Sequence, residues 1–175
     1  MSLRRVGGLG SSIFVLTTLI GLAGTVSPVT ISSPAFEQGK PIPAKHALAT
    51  GNISPELRIE NVPPNARSLV LIVDDPDAPA GLWTHWLVWN LSPTTTSISE
   101  GKLSPEASQG KNNYGHICYD GPAPPSGTHR YFFRIYALDA TLSLPAGAKR
   151  AALEAAMNPH VVGKGETFGT YRAAP

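Results

Sequence analysis

The sequence predicts one all-β domain: a sandwich of two antiparallel sheets with short helices, one of them near the C-terminus. Apolar and polar residues alternate with a period of two from about Val29 to Leu142, as in strands with one buried face. Seventeen glycines and seventeen prolines favour short elements joined by turns. Hydrophobic residues make up 42% of the 175 residues and charged residues 15%. This is enough apolar material for a core and too little charge for a disordered or coiled-coil protein.

Three segments carry the strongest strand signal: Ser68–Asp75, Thr84–Pro93 and His129–Leu138. Clusters of Pro, Gly, Asn and Asp separate them. One helical segment, Gly147–His160, is rich in Ala and is ended by a proline. The two-residue phase predicts that seven side chains of the strands are buried: Leu69, Leu71, Val73, Leu87, Trp89, Phe133 and Ile135.

The N-terminus differs from the rest of the chain. Met1–Arg5 is basic, and the uncharged apolar stretch Ile13–Ala23 has the length of a secretory signal core. We therefore expect residues 1–27 to be a signal peptide and residues 28–175 to be the mature domain, periplasmic or secreted. A retained N-terminal membrane anchor over residues 6–26 is the alternative, although glycines and serines dilute it. Cleavage is expected after one of three small residues: Ala23, Thr25 or Ser27.

The overall charge gives no indication of nucleic-acid binding. The chain has 14 Lys and Arg against 12 Asp and Glu, and without Arg4 and Arg5 the two counts are equal. No basic run or aromatic–basic stripe is present. Cys118 is the only cysteine, so no internal disulfide can form. We expect it to be a small buried apolar side chain.

Each of the three strands places ionisable groups at the end of an apolar face. Asp75 continues the face of Leu69, Leu71 and Val73, and His129 and Tyr131 precede the apolar face of the last strand. A polar cluster at the rim of an apolar core is typical of a small-ligand pocket. In the middle strand four residues are expected to share one face: His85, Leu87, Trp89 and Leu91.

Three kinds of chemistry fit these residues. A metal site built from Asp75, Asp77, His85 and His129 is disfavoured, because Asp-x-Asp is common in turns and no paired metal-binding motif is present. Hydrolysis is disfavoured because no GxSxG elbow or other nucleophile is marked. In the third case the aspartates accept hydrogen bonds from the N–H groups of histidines and favour the charged imidazolium form. The charged histidines would then create an anion site. His46, His116 and His160 are expected to be structural or surface residues.

The sequence is identified as similar to the phosphatidylethanolamine-binding protein family by two motifs in register. The first is VPPNARSLVLIVDDPDAPAGLWTHWLVWNLSP (62–93), and the second is YDGPAPPSGTHRYFFRIYALD (119–139). SPAFEQGKPIP (33–43), GNISPEL (51–57) and GETFGTYR (165–172) extend the likeness over nearly all of residues 29–172. The pattern resembles the prokaryotic, Raf kinase inhibitor-like branch of the family.

The resemblance implies a β-sandwich with one small pocket for phosphate-type anions and phospholipid head groups. No cofactor and no metal are expected. A tryptophan common in the family is replaced here by Ile59, which affects a packing detail. A cis peptide at Ala78–Pro79 is also expected, since the chain must turn sharply after Asp77. By motif, the ligand-binding residues correspond to Asp75, Asp77, His85, Gly121, Pro124, His129 and Tyr131.

We therefore expect an exported protein that binds a small anion or phosphorylated ligand, and not an enzyme. A weak esterase or phosphatase using the same Asp/His pocket is the alternative. A regulator or inhibitor of a partner protein stays open, as does a homodimer. Neither nucleic-acid binding nor tight membrane association after cleavage is expected.

Overall fold

The computed structural model describes residues 26–173 as a mainly β domain with one short α-helix. The predicted export segment, 1–27, lies almost wholly outside the described residues. None of the described helices has the length and apolar character needed to span a bilayer. The strands are β1 (Ser27–Pro28), β2 (Thr30–Ser32), β3 (Leu57–Glu60), β4 (Ser68–Asp75), β5 (Trp83–Leu91), β6 (Ser97–Ile98), β7 (Ser108–Gln109), β8 (Thr128–Leu138) and β9 (Val161–Arg172); the helix is α1 (Arg150–Met157), with 3-10 turns at Ala44–His46 and Asn158–His160.

The strands form two sheets. The larger has the order β1-β9-β8-β4-β5-β7, and the smaller has the order β2-β3-β6. The prediction of a mainly β protein with two sheets and a short helix near the C-terminus is confirmed. One detail is wrong, because β1 pairs with β9 in parallel and the larger sheet is not purely antiparallel. Both edge strands of this sheet, β1 and β7, have only two residues.

The centre of the larger sheet, at β4 and β5, is buried on both faces. One face packs against the smaller sheet, where Leu71 and Phe133 meet Ile59. The other face packs against α1, where Ile72 and Trp89 meet Leu153. Strand β4 is therefore apolar at successive positions, and all of its residues are buried. Each of the seven side chains predicted to be buried is at most 1% exposed, which confirms that prediction.

A β-bulge next to the candidate pocket shifts the phase of β5. Val73 and Asp74 are consecutive on β4, but their partners on β5, Trp86 and Thr84, are two residues apart. His85 is thus an extra residue on β5. Beyond it, the positions that face the smaller sheet and those that face α1 exchange. Leu87 and Trp89 consequently pack on the helix side of the sheet, and His85 faces the opposite side. A second irregularity between Val88 and Leu91 returns Leu91 to the side of the smaller sheet. The prediction that His85, Leu87, Trp89 and Leu91 share one face is therefore wrong.

The helix side of β4 contains a buried charge with two permanent counter-charges. The Asp74 carboxylate is fully buried and accepts hydrogen bonds from the Arg134 and Arg150 guanidinium groups, the latter at 2.9 Å. Arg150 also binds Glu154 one turn along α1 at 2.7 Å. Buried charges are tolerated when they are paired in this way. Asp74 therefore fastens α1 to the sheet.

We predict that Asp74→Asn lowers the free energy of unfolding by about 2–4 kcal/mol, because two arginines then lose their buried counter-charge. Urea denaturation near neutral pH measures this. The matched control is Asp139→Asn, which disrupts an exposed contact with His160 and should cost less than about 0.5 kcal/mol. Equal losses in the two variants would contradict the assignment.

Candidate functional site

A small cavity opens where β4 and β5 meet the following loops. Its volume is about 220 Å³. Larger depressions exist, such as one of about 480 Å³ beside Arg134 and Lys164, but the smaller cavity combines apolar walls with a histidine at the end of the buried strands. That combination is typical of small-ligand sites. The lining residues are Asp75, Ala78, Pro79, Ala80, Trp83, His85, Tyr114, Ala123 and Pro125.

His85 is held by a main-chain group. Its Nδ1 lies 2.7 Å from the Asp120 carbonyl oxygen, which only accepts hydrogen bonds, so Nδ1 carries the proton. No hydrogen bond to Nε2 is found among the described residues, and His85 lines the cavity, so this nitrogen is left for a ligand. Burial lowers the pKa of His85 below its ordinary value of 6.5, although the Asp120 carbonyl and the Asp75 charge oppose this shift. The ring is therefore neutral near pH 7.

The expected carboxylate–imidazole pair exists, but between Asp75 and His129. His129 Nδ1 donates to Asp75 Oδ2 at 2.7 Å, and both side chains are almost fully buried. Asp75 Oδ1 accepts the main-chain N–H of Asp77 at 2.8 Å. The pair fixes the orientation of both side chains. Asp75 thus joins the end of β4 to β8 and presents a carboxylate to the cavity.

Asp77 does not support a histidine, which corrects the expectation for this residue. Its carboxylate accepts the main-chain N–H of Arg130 at 2.9 Å and two guanidinium N–H groups at 2.7 and 2.8 Å. It lies outside the cavity lining. The hydrogen bonds from Arg130 lower the pKa of Asp77 from 3.8 to about 2. Asp77 anchors the turn after β4 to the start of β8.

The turn itself uses ordinary trans peptides. No described peptide bond is cis, so the prediction for Ala78–Pro79 is wrong. The chain reverses instead through the Asp75–Asp77 hydrogen bond and through Gly81, whose φ of +90° only glycine adopts readily. Gly81 N–H closes the turn on the Ala78 carbonyl at 2.9 Å.

Tyr131 lies beneath the cavity. Its ring packs edge-on against His85 with centroids 5.2 Å apart. The hydroxyl is buried and makes no hydrogen bond of normal geometry, although the Asp75 carboxylate and the Ala123 main chain are near it. Burial, and then the negative charge of Asp75, raise the pKa of Tyr131. A buried hydroxyl without a partner is costly, and it leaves a donor available close to Asp75 and His85.

The remaining predicted residues belong to the loop that forms one cavity wall. A Cβ on Gly121 would lie 1.9 Å from the His46 carbonyl oxygen, so only glycine fits there. Pro124 is buried behind the wall, and its neighbours Ala123 and Pro125 face the cavity. Of the predicted residues, Asp75 and His85 line the cavity. His129 bonds Asp75 and Tyr131 packs against His85 behind this lining, and Gly121 and Pro124 lie in the loop that forms the wall.

Sequence reasoning missed Asp120, Trp83 and Tyr114. Asp120 is the residue before Gly121 in the second motif, but nothing in the sequence shows that its carbonyl meets His85. Tyr114 packs edge-on against both Trp83 and His85, with centroids 5.4 and 5.6 Å apart. Its position in a turn-rich loop hid this contact. The expectation for Cys118 is also wrong, because its side chain is exposed.

We predict that Asp77→Asn lowers the free energy of unfolding by about 1 kcal/mol near pH 7, less than the pKa shift alone implies, since solvent screens the half-exposed Arg130. Because the folded pKa is depressed, this contribution is present above pH 3.8 and is lost as the pH falls through about 2. Urea unfolding across this range measures it. Arg130→Gln should remove the same pH-dependent part of the free energy of unfolding. If either variant shows the same dependence of stability on pH as the wild type, the Asp77–Arg130 pair is not its source.

Comparison with known proteins agrees with this fold. The family model for phosphatidylethanolamine-binding proteins matches residues 32–172. A UPF0098 protein of Methanothermobacter thermautotrophicus is 44% identical over 82% of this chain and 99% of its own length. The crystal structure of a putative phosphatidylethanolamine-binding protein homologue from Chlamydia trachomatis has a TM-score of 0.81 and 43% identity, covering 85% of this chain and 99% of its own. Escherichia coli YbcL has a TM-score of 0.79 and 27% identity over 85% of this chain and all of its own. This chain belongs to the phosphatidylethanolamine-binding protein family.

Proposed function

We propose that this protein is an exported binding protein for small anions of the phosphate or phospholipid head-group type, and that it performs no chemical step on them. The observation that carries the proposal is the cavity of about 220 Å³. Its lining includes His85, whose Nε2 makes no hydrogen bond among the described residues, and the buried hydroxyl of Tyr131 lies behind that lining. These groups suit the oxygen atoms of one phosphate-sized anion.

The charges at the cavity require a proton to accompany the anion. Asp75 is negative, and burial keeps His85 neutral. An anion placed beside Asp75 would be repelled unless His85 gains a proton on Nε2. Once protonated, His85 donates a charge-assisted hydrogen bond in a poorly solvated site. A head group that carries an amine beside its phosphate should bind more tightly, because the amine can pair with Asp75.

The alternative, an esterase or phosphatase, receives less support from the cavity. Such enzymes need a nucleophile or an activated water within reach of the base. No described residue that lines the cavity is a serine, threonine or cysteine. His85 Nε2 is an available base, so the discriminating measurement is turnover of p-nitrophenyl acetate and p-nitrophenyl phosphate. Turnover lost in His85→Ala would favour the enzyme.

A regulatory function is compatible with the binding proposal. Trp83 and Tyr114 pack together at the cavity wall, and Leu82, next to them, is exposed. Aromatic and apolar side chains of this kind form anchors at interfaces. An inhibitor or regulator would then present its bound anion together with this rim to a partner protein.

We predict that affinity for glycerophosphoethanolamine falls as the pH rises from about 5 to 8, because His85 must gain a proton on binding, by up to tenfold per unit. This diester keeps one negative charge across the range, so the protein alone titrates. His85→Ala should weaken binding at low pH by about 1.5–3 kcal/mol, or ten- to a hundredfold, and flatten the pH profile. Isothermal titration measures both.

The matched control is His160→Ala, which removes the same ring from an exposed position. Circular dichroism checks the fold of each variant. Inorganic phosphate and glycerol 3-phosphate distinguish a phosphate site from a head-group site, because only the ethanolamine ligand can pair with Asp75. Wild-type affinity that is independent of pH, or equal in His85→Ala, would overturn the proposal.

Export is the second part of the proposal and is supported by the basic start and apolar stretch of residues 1–23. Strand β1 begins at Ser27, which pairs with Gly163 of β9. Cleavage after Ala23 or Thr25 keeps this strand whole, whereas cleavage after Ser27 removes half of it. We predict a mature N-terminus at Gly24 or Val26 in the periplasmic or secreted fraction, found by mass spectrometry. An intact Met1 in a membrane fraction would favour the anchor.

A further inference from the structure

Asp120 is a buried carboxylate that lacks a permanent counter-charge. Its side chain is only 3% exposed. Asp74 pairs with two arginines and Asp77 with one, but no Lys or Arg among residues 26–173 forms an ion pair with Asp120. Burial, and then the charge of Asp120, raise the pKa of Tyr114, Cys118 and Tyr119. A buried negative charge of this kind favours a nearby cation.

Two further metal-ligating side chains lie beside Asp120. His116, Cys118 and Asp120 each offer one donor atom, and these atoms all lie within 4.8 Å of one another. The closest contact joins His116 Nδ1 to Asp120 Oδ2 at 2.8 Å. Zinc–ligand bonds of about 2.0–2.3 Å at tetrahedral angles place donor atoms about 3.3–3.8 Å apart. Rotation of the exposed His116 and Cys118 side chains brings the donor atoms from their present separations to those of a zinc site.

The loop that carries the three residues is already ordered by Asn112. Its Oδ1 accepts the main-chain N–H groups of Tyr114 and His116, both at 3.0 Å. Its Nδ2 donates to the Cys118 carbonyl at 3.1 Å and to Asp120 Oδ2 at 2.8 Å. Asn52 donates to the other carboxylate oxygen at 3.2 Å. Such supporting bonds orient ligands in metal sites.

We propose that His116, Cys118 and Asp120 form a binding site for a thiophilic divalent cation of the zinc type. Thiolate, imidazole and carboxylate together suit Zn²⁺ and Co²⁺ and are a poor match for Mg²⁺ or Ca²⁺. Three protein ligands leave one position for water or another ligand. The exposure of His116 and Cys118 gives the ion a path from solvent.

The site adjoins the anion cavity through a single residue. The side chain of Asp120 belongs to the cation cluster, and its main-chain carbonyl accepts the Nδ1–H of His85. Asn112 Nδ2 also lies 3.3 Å from the His85 carbonyl. A bound cation therefore restrains the groups that orient His85. The cation site itself rests on the cluster alone and does not depend on the proposed anion binding.

Titration of the full chain with Zn²⁺ and with Co²⁺, in reducing buffer, tests the site. We expect one ion per chain, and with Co²⁺ a sulfur-to-metal charge-transfer band in the near ultraviolet. Cys118→Ser should abolish the band and weaken Zn²⁺ binding at least tenfold, and His116→Ala should weaken it similarly. Mg²⁺ should not compete.

His160→Ala is the matched control, since His160 contacts Asp139 at 2.8 Å, as His116 contacts Asp120, but without a thiol nearby. Its Zn²⁺ affinity should equal that of the wild type. The band is measured on the wild type, so the test does not depend on any variant folding. Absence of the band, or equal Zn²⁺ affinity in the wild type and Cys118→Ser, would overturn the proposal.

Discussion

Strand β4 is buried on both faces and ends in two adjacent aspartates, which point to opposite sides of the sheet. Each buried carboxylate requires a partner on its own side. Asp74 finds two arginines and thereby fastens α1, and Asp75 finds His129 on β8. Because a carboxylate cannot remain unpaired in either place, the helix and the cavity are both positioned by the end of this one strand.

The side of the sheet that each β4 and β8 residue faces could be predicted from the sequence, because the two-residue alternation of both strands is unbroken through the buried positions. The face of each β5 residue could not be predicted, since the phase of this strand is interrupted at two places that have no composition signal, one at His85 and one before Leu91. The irregularity at His85 turns this side chain towards the cavity, so it and the candidate site have one cause. Bulges near functional sites often redirect a side chain in this way.

The candidate site was predictable to the extent that it depends on strand ends. Asp75, His129 and Tyr131 follow from the position of each residue at the end of an apolar face. Asp77 and Asp120 do not, because their contacts are set by loops. An Asp in a turn pairs with whichever donor the turn brings near, here Arg130. The contribution of Asp120 to the cavity is a main-chain carbonyl, which any residue type carries.

The short strand β7 covers only part of the outer edge of β5. The loop over residues 110–120 covers more of it with irregular main-chain contacts: Gly110 N–H meets the Leu87 carbonyl, Asn113 N–H meets that of Thr84, and Asp120 N–H meets that of His85. An exposed strand edge is a template for pairing with another chain. Since this loop already occupies the edge of β5, neither a second copy of the chain nor an extended peptide can add a strand there. Any partner on this side must recognise the side chains of the loop instead.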